Sequence, residues 1–178
     1  MKMKERTIHF IAGSVSDLPI ILPVVRKYRD RDDLTMVFHV LSCHRHLFQL
    51  IAFIISLIFA KGVWIVACGS KAFALPGIIC AILNLIKKPI PVIGVALEGS
   101  EENDLEAAKL SIKNLPGKPV ITSTYGEPFT GVDGLDVAIR RIVNHDDDLY
   151  PQIKFKEPPE SHTNLTLDQV EALCEKKD

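Results

Sequence analysis

Ile8-His9-Phe10-Ile11-Ala12-Gly13-Ser14-Val15-Ser16-Asp17-Leu18-Pro19 decides the fold. An apolar, β-leaning run stops at a glycine, passes through a short polar turn, and reopens as a second apolar run from Ile20 to Val25. That is a buried strand over Thr7 to Ala12, a turn, and a helix over Leu18 to Tyr28 with Leu18, Ile21, Leu22 and Val25 on one face. The turn has two readings. Two hydroxyls and free backbone N–H groups at a helix N-terminus favour an anion. Alternatively, Ser16 or Asp17 simply caps the helix, with Pro19 in its first turn. The rest of the chain decides between them.

Outward from this unit the same alternation repeats. Leu34 to Leu41 reads as a second strand and Leu47 to Ala60 as a very apolar helix. Val63 to Cys68 is a third strand, Ile78 to Ile86 a helix, Pro91 to Val95 a fourth strand and Asp104 to Lys113 a helix. Val120 to Ser123 is offered as a fifth strand. Tyr125 to Phe129 reads as a loop and Val132 to Val143 as an amphipathic helix. His39 sits among apolar neighbours and reads as a satisfied strand histidine. Continuous apolar strands alternating with helices imply a mainly parallel, doubly wound, flavodoxin-like sheet in a three-layer α/β/α sandwich. In such folds ligands bind beyond the carboxyl ends of the strands. Three loops rich in small and polar residues fall there: Gly13–Asp17, Ser42–His46 and Gly69–Gly77. Their shared edge lifts the first loop above a plain cap.

Residues 1–143 therefore read as one α/β domain. The composition changes at residues 144–178, which read as an extension made of an acidic and proline-containing linker plus a short helix over Thr166 to Lys176. Thr166 and Gln169 form a capping-box pattern there.

The chain has 178 residues and a net charge of -1, so it carries no electrostatic footprint for nucleic acid. Its 47% hydrophobic content and mean hydropathy of +0.18 are high for a single domain, and imply a large subunit interface. The apolar run from Leu47 to Ala60 spans about 14 residues, short of the roughly 20 that cross a bilayer. No signal-peptide pattern opens the chain, and a cytoplasmic location is the default expectation. Cys43, Cys68, Cys80 and Cys174 have no zinc-ligand spacing, so neither a metal site nor a disulfide framework is expected.

The three loops in this order resemble the PurE family, the catalytic subunit of phosphoribosylaminoimidazole carboxylase, or N5-carboxyaminoimidazole ribonucleotide mutase, of purine synthesis. The matching stretches are Gly13-Ser14-Val15-Ser16-Asp17, Ser42-Cys43-His44-Arg45, the Cys68 to Ala74 loop followed by Leu75-Pro76-Gly77, and Pro91-Val92-Ile93-Gly94-Val95. The resemblance covers about residues 7 to 143. The resemblance implies rearrangement of N5-carboxyaminoimidazole ribonucleotide to the 4-carboxylated isomer, without metal or organic cofactor. The alternatives are direct carboxylation of aminoimidazole ribonucleotide with carbon dioxide, or a divergent or non-catalytic ribonucleotide-binding relative. Carried over by motif, Ser14, Ser16 and Arg45 hold the 5′-phosphate, Asp17 and Ser42 the ribose, and His44 is the general acid/base. Gly69, Ser70, Lys71 and Leu75 complete the substrate site. The side-chain chemistry agrees: a guanidinium fork suits phosphate oxygens, a carboxylate suits ribose hydroxyls, and an imidazole both gives and takes a proton. The partners implied are a phosphoribosyl small molecule and further copies of the chain in a homo-octamer, with no nucleic acid and no membrane.

Departures from the pattern concentrate at the third loop. Cys43 stands for the usual alanine, a mild change. Ser70, Lys71 and Phe73 interrupt a stretch that is nearly all glycine and alanine in the family, and Ala74 stands where the family has a second histidine. Lys71 offers a positive charge to a carboxyl group, whereas Phe73 offers to fill the pocket. Glu127 falls about where the family has a lysine. His46 reads as exposed, with no role.

Overall fold

The structure is a computed structural model that describes residues 5–123, 125–145 and 161–175. Five parallel strands run in the order β2-β1-β3-β4-β5: β1 (Arg6–Ala12), β2 (Leu34–Val40), β3 (Val63–Gly69), β4 (Val92–Ala96) and β5 (Phe129–Thr130). Helix α1 (Leu18–Val25) and helix α5 (Gly131–Val143) cover one face; α2 (Leu47–Ser56), α3 (Leu75–Leu85) and α4 (Asp104–Lys113) cover the other. The expected three-layer, flavodoxin-like α/β/α sandwich is the observed fold.

The period-2 geometry of a strand sorts its residues between the two faces. Ile8, Phe10 and Ala12 of β1 pack with Val24 of α1 and Leu135, Ile139 and Ile142 of α5. Ile11 faces the opposite way, toward Leu50 and Ile54 of α2 and Ile79 of α3. Every residue of β3 and of β4 is buried, as expected of strands covered on both sides. The order reverses between β1 and β3, so the switch-point crevice opens where Ala12 and Gly69 end their strands.

Several boundaries differ from the sequence expectation, each for a local reason. The fifth strand is Phe129–Thr130 rather than Val120 to Ser123. The latter segment contributes one parallel bridge, Ile121 to Ile93. Pro23 lies inside α1 and supplies no N–H, and the regular helix ends two residues later, continuing as a 3-10 turn over Arg26–Tyr28. Helix α2 ends at Ser56, and Leu57, Ile58 and Ala60 close tighter turns onto Ile54, Ile55 and Leu57. Helix α3 begins earlier than expected, with Leu75-Pro76-Gly77 in its first turn, where a missing proline N–H costs nothing.

His39 is partnered, as read from the sequence. Its Nε2 lies 3.0 Å from His9 Nδ1 on the neighbouring strand, and its ring lies 4.1 Å from that of Phe53 on α2. Burial, then the neighbouring His39, hold the His9 pKa down at about 4; burial also lowers that of His39. The helix α6 (Leu167–Glu175) forms with the capping box intact. Thr166 N–H donates to Gln169 Oε1 at 2.9 Å and Gln169 N–H to Thr166 Oγ1 at 3.4 Å. Most of the expected linker, residues 146–160, lies outside the described residues.

Candidate active site

The first loop leaves β1 with Gly13 N–H donating to Cys68 O at 3.2 Å across the switch point. Ser14 is extended (φ -149°, ψ 157°) and caps a 3-10 turn over Val15–Asp17 that leads into α1. The cap is reciprocal. Ser16 N–H donates to Ser14 Oγ at 3.3 Å, and Ser14 N–H donates to Asp17 Oδ2 at 2.9 Å. Ser16 Oγ also donates to Ser14 Oγ at 3.0 Å. The capping and anion-binding readings are thus compatible: the cap fixes the loop, and both hydroxyls stay at an exposed edge. Asp17 is 4% exposed. Burial raises its pKa, opposed by hydrogen bonds from the Ser14 and Gly13 backbone.

The second loop closes on Ser42. Arg45 N–H and His46 N–H both donate to Ser42 O, at 3.3 and 2.8 Å. Ser42 and Cys43 are buried, while His44 and Arg45 project outward and are exposed. Among the described residues, neither of these two side chains makes a hydrogen bond or ion pair, which leaves both available to a ligand. His46 departs from expectation. It is half-buried, and its Nδ1 accepts the Ser42 N–H at 3.2 Å. Burial pushes the Cys43 thiol up, which keeps it protonated and unreactive at neutral pH.

In the third loop, Lys71 has a partner of its own. Its Nζ is bound to Glu101 Oε1 at 2.7 Å on the surface, and this contact raises the lysine pKa. Its backbone has φ 61°, and its N–H donates to Asp104 O at 3.2 Å. The charge therefore faces the β4–α4 connection rather than a ligand carboxyl. Phe73 turns inward and is 5% exposed. A β-carbon on Gly69 would lie 2.5 Å from Phe73 Cε2, and one on Gly13 would lie 3.9 Å from the same atom. Gly69 at the end of β3 thus makes room for the Phe73 ring, whereas a side chain at Gly13 would meet the ring at ordinary contact distance. Glu127 pairs with Lys113, outside the cleft lining, so the charge reversal does not face the site.

These three loops enclose one cleft of about 350 Å³. It is lined by every candidate taken from the sequence: Ser14, Ser16, Asp17, Ser42, His44, Arg45, Gly69, Ser70, Lys71 and Leu75. Gly13, Cys43, Ala72, Phe73 and Ala74 complete the lining. The volume lies at the small end of ligand sites, near the size of one phosphorylated sugar with its base. Of its lining, His44 and Arg45 are exposed, and Asp17, Phe73 and Leu75 are buried. Among the described residues no cluster of three or more potential metal ligands occurs.

No protein-family model matches the chain, and no curated protein does. A solved structure is similar: the crystal structure of Treponema denticola PurE superposes with a TM-score of 0.59 over 97% of this chain and 92% of that chain, at 11% sequence identity. At that identity the similarity concerns the fold.

Proposed function

We propose that this chain is a PurE-like enzyme acting on a phosphoribosyl aminoimidazole, with His44 as the group that moves the proton. One observation carries the reading. Ser14, Ser16, Asp17, Ser42, His44 and Arg45, on two different strand-ends, line the same cleft at the switch point. In the proposed mode the 5′-phosphate lies against the serines and the Arg45 guanidinium, which supplies a fixed positive fork. The ribose hydroxyls donate to Asp17, with Ser42 beside it. The base then reaches His44: as the carboxyl group leaves the exocyclic nitrogen and joins the ring carbon, the imidazole takes the proton lost from that carbon and returns it to the nitrogen. The reaction that best fits the motifs is rearrangement of N5-carboxyaminoimidazole ribonucleotide to the 4-carboxylated isomer. Residues 1–143 form the catalytic unit, residues 144–178 an extension, and the working form is a cytoplasmic homo-octamer.

Titration calorimetry with aminoimidazole ribonucleotide, with turnover of the carboxyamino compound, tests this. Arg45→Ala weakens binding by about tenfold or more, the loss expected of a charge-assisted phosphate contact. His44→Asn retains binding and loses about 10²- to 10⁴-fold in turnover. Full turnover by His44→Asn would remove the proton-transfer role.

A second reading is favoured by the third loop. Lys71 is engaged by Glu101, and Phe73 occupies the space next to Gly69. A relative that keeps the phosphoribosyl end but takes a different base, or binds without turnover, fits those two residues. Binding of the ribonucleotide by wild type without conversion of the carboxyamino compound selects it.

A further inference from the structure

His46 lies outside the cleft lining, yet its side chain hydrogen-bonds within the second loop. Strand β2 ends at Val40, and Leu41 N–H makes the next sheet-like bond, to Ala12 O at 2.9 Å. The following amide, on buried Ser42, finds its acceptor in a side chain: His46 Nδ1 at 3.2 Å. The same residue's N–H donates to Ser42 O at 2.8 Å. His46 therefore holds Ser42 by both of its backbone polar groups, and the intervening Cys43, His44 and Arg45 are carried on a closed turn. Nδ1 can accept only when it bears no proton, so the ring is the neutral tautomer with its hydrogen on Nε2.

We infer that His46 is a positioning residue of this cleft, which fixes the turn that presents His44 and Arg45. As a role in ligand binding this rests on the phosphoribosyl reading of the cleft; as a constraint on the turn it does not. A small or apolar residue at this position leaves a buried amide without an acceptor, and the turn opens to find one. Asparagine places its carbonyl oxygen about where Nδ1 stands and keeps the bond.

The test compares wild type with His46→Asn and His46→Leu in the full chain. Amide hydrogen exchange reads the turn without any ligand, and calorimetry with aminoimidazole ribonucleotide reads the site. Ser42 N–H is protected in wild type and His46→Asn and exchanges about tenfold or more faster in His46→Leu, while amides in β1 stay unchanged. Ribonucleotide affinity in His46→Asn stays within about threefold of wild type, and in His46→Leu falls about tenfold or more. Nitrogen NMR of wild type shows Nδ1 unprotonated. Equal Ser42 exchange in wild type and His46→Leu overturns the inference, as does His46→Asn behaving like His46→Leu in both readouts. Failure of wild type to bind the ribonucleotide removes the phosphoribosyl reading and with it the role in binding; the Ser42 exchange still decides the constraint on the turn.

Discussion

Phe73 and Gly69 show what a single side chain does to this site. The ring lies where a β-carbon of Gly69 would be, at 2.5 and 2.6 Å from its Cε2 and Cδ2. The ring is buried in the core beneath α3, so it has little freedom to move aside. Gly69→Ala is therefore expected to destabilise the protein by about 1–3 kcal/mol through overpacking, and Phe73→Ala by about 3–5 kcal/mol through the cavity it leaves. The pair couples: Gly69→Ala with Phe73→Ala costs less than the sum, because the added methyl enters the vacated space. Urea unfolding of the two single variants and the double variant measures this, and strict additivity would contradict the packing described. The sequence carried only half of this information. It placed Phe73 in the right loop, since the loop is bounded by a strand and a proline-started helix. Which way the ring turns depends on the space left by Gly69 and on the core cluster that the ring joins, and no local pattern encodes that. The side-chain partners of His46 and Lys71 are likewise absent from the sequence pattern. Each has a partner reached across a turn or another loop, Ser42 and Glu101, and composition says nothing about such geometry. In the first loop the spacing signals a cap, but the capping residue is Ser14, answered by Asp17, rather than Ser16 or Asp17 at the start of α1.

At the scale of elements, legibility followed length and burial. Strands β3 and β4 are buried along their whole length and stand out as apolar runs. Strand β5 has two residues, too few for any periodicity, and was displaced to a more apolar neighbouring segment. The contact between β1, β2 and α2 holds a feature with a consequence for pH. His9 and His39 lie side by side on adjacent strands beneath Phe53. A folded-state pKa lowered from 6.5 to about 4 means that the native protein prefers a neutral His9. The stability this contributes is complete above pH 6.5 and is lost as pH falls toward about 4. Its ceiling for His9 is about 3 kcal/mol, reduced by whatever water reaches the half-buried ring. Denaturant unfolding between about pH 7 and about pH 4.5 should show the loss in wild type and a smaller one in His9→Gln/His39→Gln, whose side chains do not titrate. An identical pH dependence in the two proteins would mean that acid acts elsewhere.

For the whole molecule, the surplus of apolar residues inferred from composition has a location. Phe48 is 83% exposed, Phe59 93% and Leu85 80%. Phe48, Ala52 and Ile55 recur on the outer face of α2 at helical spacing, Phe59 follows just past its end, and residues 47–60 carry no charge at all. No helix among the described residues is long and apolar enough to cross a membrane. A lone monomer exposing such a stripe is poorly soluble, whereas copies of the chain packed through it bury two large aromatic rings each. Self-association of the kind proposed above would bury this surface, which makes a measurable demand. Sedimentation equilibrium at micromolar concentration should give a mass several times that of one chain. Phe48→Glu with Phe59→Glu should shift the distribution to smaller species, because burying a carboxylate in an apolar contact opposes association strongly. Both positions point away from the core, so the folded unit itself should keep its far-ultraviolet spectrum and cooperative melting. A wild-type monomer would contradict the assembly, and an unchanged mass in the double variant would move the interface to another face of the sandwich.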